Sequence, residues 1–231
     1  MLTTKLNQIS KSLDNSKFHQ LSYREKIKIN TQNNLIYLHL VLMKILLLGP
    51  NRPYLINFLK SFGDQVHNQE EKISLSLGDV EQADFLISYG YRHIIKKDVL
   101  NYFKNKAINI HISFLPWNRG ADPNLWSFLE DNPKGVTIHY LDEGIDTGDI
   151  IIQQRVFFDD NETLHSSYEK LSQVAFDLFK SNWKLIKENR IQATPQRGKG
   201  SYHRTQDKEK YQALLVDGWN TPVSQLTGKA L

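Results

Sequence analysis

Short runs of consecutive apolar residues, each closed by a glycine or a polar residue and separated by stretches of helical spacing, constrain this chain more than any other feature. Ile45-Leu46-Leu47-Leu48 shows no polar alternation before Gly49, and a short unbroken run of this kind reads as a strand buried on both faces. Strands are expected over 43–49, 84–89 (ended by Gly90), 107–111, 135–141 and 149–157. Between them, Leu55, Phe58, Leu59 and Phe62 recur at helical spacing within 54–62 and are closed by Gly63. Shorter helices are expected over 98–103, with Asp98 as N-cap, and over 124–130 after Pro123. A long amphipathic helix is expected over 162–189, with Leu164, Tyr168, Leu171, Ala175, Leu178, Asn182 and Leu185 on its inner stripe. Strands alternating with helices imply an α/β fold, a mainly parallel sheet with helices on both faces.

Three regions follow. Residues 1–34 are polar, with scattered apolar positions, and Met43 followed by a buried strand reads like the start of a protein. Residues 1–42 are therefore either a genuine extension or sequence upstream of the native start, and the second reading is favoured. Residues 43–190 form the main domain. Residues 191–231, with Pro195, Gly198 and Gly200, read as a loop-rich C-terminal region.

Charge and composition exclude several classes of function. The net charge is +4, but residues 1–42 alone carry Lys5, Lys11, Lys17, Arg24, Lys26 and Lys28 against Asp14 and Glu25, so the other residues are neutral in sum. A broad basic footprint for nucleic acid is missing from the body of the chain. The apolar run 35–43 is too short for a membrane span, which needs roughly 20 residues, and it lies too far along the chain for a signal peptide. There are no cysteines, which excludes disulfides, thiolate zinc sites and cysteine nucleophiles and suits a cytoplasmic protein.

Chemistry concentrates in two segments. Asn109 and His111 lie two apart at the end of a predicted strand and so project to one side, at the carboxyl edge where open α/β sheets bind ligands. An amide can donate to a developing oxyanion, and a histidine can move a proton near neutral pH. The second segment, Asp142-Glu143-Gly144-Ile145-Asp146-Thr147-Gly148-Asp149, holds four carboxylates in eight residues. It reads equally as a solvated turn, a metal-binding turn without a second ligand set, or the source of a carboxylate that orients His111. The residues do not say which of the four would do so.

Asn-x-His-x-Ser-x-Leu-Pro, followed some 35 residues later by Asp-Glu-Gly-x-Asp-Thr-Gly-Asp, resembles the signature of the formyltransferases that use N10-formyltetrahydrofolate. The resemblance runs from residue 43 to about 189. It implies a Rossmann-like formyltransferase fold, a formyl-folate donor and no metal, with Asn109, His111 and Asp146 as the catalytic three. Ser88-Tyr89-Gly90-Tyr91-Arg92-His93 and Leu115-Pro116-Trp117-Asn118-Arg119-Gly120-Ala121-Asp122-Pro123-Asn124 look like the branch that formylates amino groups on nucleotide-linked deoxysugars for surface polysaccharides such as lipopolysaccharide O-antigen.

By the same resemblance the pterin lies along 91–95, which makes Tyr91, Arg92, His93 and Ile94 cofactor-side candidates, with Asp142 from the acidic turn. His139 lines the same cleft in related enzymes or is structural. Arg52, Trp117, Arg119 and Tyr202 are candidates for the sugar nucleotide, with His203 and Arg204 behind them; a guanidinium suits phosphate oxygens and an aromatic ring can stack on a base. The resemblance further implies a homodimer through the C-terminal region. The acceptor expected is dTDP-4-amino-4,6-dideoxyglucose, with UDP as the other possible carrier. Rival readings are a methionyl-tRNA or glycinamide ribonucleotide formyltransferase, a folate-deformylating hydrolase, and a catalytically dead folate-binding protein.

Overall fold

The computed structural model describes residues 26–31, 34–39, 42–76 and 78–230. Residues 1–25, most of the N-terminal extension, lie outside that range. Within the extension β1 (Lys26–Thr31) pairs antiparallel with β2 (Asn34–His39). No element was expected there, although Ile27 and Ile29 alternate with Lys26, Lys28 and Asn30; a period-two signal of five residues in a polar stretch is easily passed over.

The central sheet is built from β3 (Lys44–Leu48), β4 (Gln65–Gln69), β5 (Phe85–Ser88), β6 (Ala107–His111), β8 (Gly135–Tyr140) and β9 (Ile150–Arg155), in the order β4-β3-β5-β6-β8-β9. The first four strands run parallel; β8 is antiparallel to both β6 and β9. The expected strands are all present, and β4 is an addition. Its sequence, Gln-Val-His-Asn-Gln, is polar because it is an edge strand, so no apolar run marks it.

Alternation along β3 divides the core. Ile45 and Leu47 face one side with Phe85, Ile87, Ile108 and Ile110, beneath α1 (Pro53–Lys60) and α5 (Leu164–Lys187). Leu46 and Leu48 face the other side with Leu86 and Ala107, beneath Val80 of α2 (Gly78–Glu81) and Val99 and Phe103 of α3 (Lys97–Phe103). Helices thus cover both faces. Asp98 sits in the first turn of α3 and accepts from the Val99 amide at 2.9 Å, but the N-cap position belongs to Lys96; an acid in the first turn suits the helix dipole without being the cap.

The long helix departs from its expected stripe. It starts at Leu164 after Thr163, which forms a capping box with Ser166. Leu164, Leu171, Ala175 and Leu178 are buried as expected, but so are Ser167, Phe179, Trp183 and Ile186, while Leu185 is exposed. The expected stripe advanced by sevens from Leu164 through Leu171 and Leu178 to Leu185. A straight helix drifts by about 20° per heptad from such a repeat, so by the third heptad the inner face has moved onto Trp183 and Ile186.

The tail is more ordered than its composition suggests. After α5 it crosses to pair β10 (Tyr202–His203) in parallel with β7 (Arg119–Gly120). Short 3₁₀ turns over Thr205–Leu214, Gly218–Asn220 and Val223–Gln225 follow, and Val223 and Leu226 close a third apolar cluster against α4 (Pro123–Leu129). Among the described residues no helix is long and apolar enough to cross a membrane.

Candidate active site

β6 ends at the carboxyl edge of the parallel part of the sheet and delivers Asn109 and His111 there, both buried. Its neighbour β8 runs antiparallel in a register that sets His139 directly across from Asn109. The acidic loop between β8 and β9 then turns back over these side chains. Its shape depends on two glycines: a Cβ at Gly148 would lie 1.9 Å from the Tyr140 carbonyl oxygen, and one at Gly144 would lie 2.0 Å from the Thr147 hydroxyl. Asp142 ties the loop internally, accepting from the Gly144 amide at 3.1 Å and the Thr147 hydroxyl at 2.7 Å. Glu143 faces outward to Lys97 at 2.6 Å. Asp146, in a left-handed backbone conformation with φ 54°, turns its carboxylate inward among the three.

That carboxylate is the hub. One oxygen, Oδ1, accepts from Asn109 Nδ2 at 3.0 Å and lies 3.4 Å from His139 Nε2. The other, Oδ2, accepts from the Gly120 amide at 2.8 Å and lies 3.7 Å from His111 Nδ1. Burial pushes the Asp146 pKa up, but the facing His111 and His139 and the Gly120 amide more than offset it and hold the group well below the usual carboxylate range. Asp146 is therefore an anion throughout the neutral range.

Carbonyl partners assign the ring tautomers. His111 Nε2 is 3.0 Å from the Asn118 carbonyl oxygen; a carbonyl can only accept, so Nε2 carries hydrogen and Nδ1 is the atom that gains or loses a proton, facing Asp146. His139 Nδ1 donates to the Tyr140 carbonyl at 2.7 Å, and its Nε2 lies 3.3 Å from Asn109 Nδ2 and 3.4 Å from Asp146 Oδ1. Asn109 thus stands between Asp146, to which it donates, and His139.

The other expected residues are placed more variously. Tyr91 pins its own loop: its hydroxyl donates to the Glu71 carbonyl at 2.8 Å and accepts from the Ile73 amide at 3.1 Å. Arg92, His93 and Ile94 are exposed beside it, and their main chain makes no hydrogen bond among the described residues. The Lys97–Glu143 pair and the contact of Ile95 and Leu141 with the second core bring this segment alongside the acidic loop. Arg52 lies over the Tyr89 ring at 3.9 Å and donates to the Pro50 and Tyr89 carbonyls. Burial, the main cause, pushes the Tyr89 phenol up to about 12, so the ring under Arg52 stays neutral.

Trp117 is half-buried in the loop after the cis Leu115–Pro116 bond. Arg119 is held by Gln196, whose Oε1 accepts from Nε at 3.1 Å and from Nη2 at 2.6 Å. Tyr202 is exposed and packs against Gly120. His203 is stacked on Trp126 with ring centroids 3.7 Å apart, and Arg204 is exposed at the start of a 3₁₀ turn. Among the described residues no cluster of three or more metal-binding side chains comes together.

Gln196 and Ser201 were not expected at the site. Gln196 Nε2 donates to the Asp146 and Gly148 carbonyls at 2.8 and 2.9 Å. The Ser201 hydroxyl accepts from the Asn118 amide at 2.9 Å and donates to Asn118 Oδ1 at 3.1 Å. No sequence motif marks either residue.

The structure thus brings Asn109, His111 and Asp146 together at the edge of a mainly parallel sheet, and comparison with known proteins identifies the family. The family model described as formyl transferase matches residues 57–181. The chain belongs to that family. The formyltransferase PseJ from Anoxybacillus kamchatkensis, solved in complex with UDP-4,6-dideoxy-4-formamido-L-AltNAc and tetrahydrofolate, is 55% identical, with a TM-score of 0.80 over 81% of this chain and 100% of that one. A 4-N formyltransferase from Francisella tularensis shares the fold at 24% identity, with a TM-score of 0.65 over 80% of this chain and 86% of that one. Among curated relatives, the methionyl-tRNA formyltransferase of Finegoldia magna is 38% identical over 112 residues, 48% of this chain and 36% of that protein. The chain thus spans little more than a third of the length of the curated relatives it matches.

Proposed function

We propose that the protein moves a formyl group from N10-formyltetrahydrofolate to the primary amine of a nucleotide-linked amino-dideoxy sugar. The observation that carries this is the buried, ionised Asp146 bound to Asn109 and facing His111 Nδ1, in a chain 55% identical to a sugar-nucleotide-bound formyltransferase over that protein's whole length. The sequence favoured dTDP-4-amino-4,6-dideoxyglucose as acceptor. The likeness to PseJ now favours a UDP-linked sugar, the 4-amine corresponding to the formamido compound bound there.

In this reading the bound donor supplies the formyl carbon and, as leaving group, N10. The amine attacks as a free base; the new N–C bond forms, the C–N10 bond breaks, and the amine proton ends on N10. Asn109 donates an amide hydrogen to the formyl oxygen as charge develops there, exchanging its longer contact to His139. His111 takes and returns the proton at Nδ1, and Asp146 stabilises the imidazolium. The main chain of Arg92, His93 and Ile94, which makes no hydrogen bond among the described residues, suits the amide-like edge of a pterin. Arg52 and Tyr202 remain the candidates for the phosphates and base. Assembly as a homodimer, a cytoplasmic location and a role in surface polysaccharide synthesis belong to the same reading.

Methionyl-tRNA is the second acceptor to test, because curated relatives that act on it match about half of the chain. The test is incubation of the protein and donor with UDP- and dTDP-linked 4-amino sugars, glycinamide ribonucleotide and methionyl-tRNA, read by product mass. A formyl gain on a sugar nucleotide alone is expected. Turnover of methionyl-tRNA at comparable kcat/KM would overturn the acceptor class.

A further inference from the structure

We infer that Gln196 is a positioning residue for catalysis, and that Arg119 serves it rather than the acceptor; this rests on the proposed role of Asp146. The acidic loop holds Asp146 in a left-handed conformation, which is unfavourable for most L-residues and better tolerated by Asp and Asn. Within the loop, Asp142 braces only the outer turn, through Gly144 and Thr147. The inner turn is braced from outside, by one side-chain amide that reaches across from the tail. Gln196 Nε2 has two hydrogens and gives one to the carbonyl of Asp146 and one to that of Gly148. Its Oε1 takes the Arg119 fork, which fixes the amide's orientation and leaves the NH₂ no choice but to face the loop.

Arg119 belongs to β7, next to Gly120, whose amide holds Asp146 Oδ2. The Asp146 backbone and its carboxylate are therefore gripped by adjacent parts of one unit, the β7–tail seam. A shift in the loop moves both Oδ1 from Asn109 and Oδ2 from His111. Displacements of about 1 Å can cost 10²-fold in rate.

Gln196→Glu separates this role from the alternatives. It keeps an acceptor for Arg119 but replaces the donating NH₂ with a carboxylate oxygen facing two carbonyls. The assay uses N10-formyltetrahydrofolate with the UDP-linked 4-amino-4,6-dideoxy-L-AltNAc, and Asp146→Asn as reference. The expected result is a fall in kcat of roughly 10–100-fold in Gln196→Glu and in Gln196→Met, with KM for either substrate changed less than about threefold. Added to Asp146→Asn, Gln196→Glu should lower kcat little further, because it acts through that carboxylate.

Unchanged kcat in Gln196→Glu with a raised acceptor KM in Gln196→Met would show that Gln196 instead presents Arg119 to the substrate, and would overturn the inference. A loss confined to melting temperature would do the same. Wild-type kcat in Asp146→Asn would remove the catalytic reading itself, which is a different failure. The displacement is also read without turnover, from the ring ¹⁵N resonances of His111 and His139. These should shift together in Gln196→Glu, and spectra identical to wild type would contradict the proposal.

Discussion

The acidic loop and the tail both hold the Asn-His-Asp cluster, and they do so by opposite means. The loop contributes a carboxylate whose chemistry nothing else can replace, on a backbone that two glycines make possible. The tail contributes hydrogen bonds to main-chain groups: Gln196 to the carbonyls of the loop, and Ser201 to the amide of Asn118, whose carbonyl orients His111. Side-chain chemistry writes a motif. Main-chain support needs a donor or acceptor at the right place, which many local sequences can supply.

If that contrast is right, the largest effects fall on the cluster. His111→Asn and Asp146→Asn should each lower kcat by roughly 10²–10⁴-fold with the fold intact, and the double variant should lose far less than the product of the two. Steady-state kinetics with circular dichroism checks this, and multiplicative losses would show the residues acting separately. Next comes Gly148→Ala, which sets a methyl against the Tyr140 carbonyl. Its kcat should drop by about 10-fold or more as Asp146 is displaced.

The tail sharpens the comparison with a matched pair. At Gly200 φ is 61° and a Cβ would lie 2.0 Å from the Pro116 carbonyl oxygen, whereas at Gly198 φ is 88° and nothing lies within 4 Å. Gly200→Ala should therefore unseat Ser201 and lower both kcat and melting temperature. Gly198→Ala should cost only backbone strain, about 1 kcal/mol, and little activity. Equal effects would mean that the seam does not position the site.

The smallest effect is one of pH. Asp146 has a folded pKa held below its unfolded value near 4, so its contribution to stability is complete above the unfolded pKa and is lost as pH falls toward the folded one. The difference in unfolding free energy between wild type and Asp146→Asn should narrow as pH falls below about 4. A difference that grows on acidification would reverse the sign of the assignment.

How much of this could be read beforehand follows from the same contrast. The unbroken apolar run marked β3 and β5, strands buried on both faces, whereas β6 and β8 showed only apolar residues in alternation with the polar ones that build the site. The spacing of Asn109 and His111 put both at one edge. The polar edge strand β4 had no such mark. His139 could be a ligand-side or structural residue until the β6–β8 register set it against Asn109. The choice of Asp146 among four carboxylates rested on resemblance, and the structure gives its physical basis in the left-handed turn that points it inward. Gln196 was invisible, since its partners are carbonyls 48 and 50 residues away.

The central claim is that this cluster transfers a formyl group to a sugar amine. The most direct measurement is single-turnover transfer from N10-formyltetrahydrofolate to the UDP-linked 4-amino-4,6-dideoxy-L-AltNAc, followed by mass spectrometry in wild type and Asp146→Asn. The account predicts a formylated sugar nucleotide from the wild type, formed roughly 10²-fold or more slower by the variant. A wild-type protein that formylates no amino-sugar nucleotide, or an Asp146→Asn variant that does so at full rate, would contradict it.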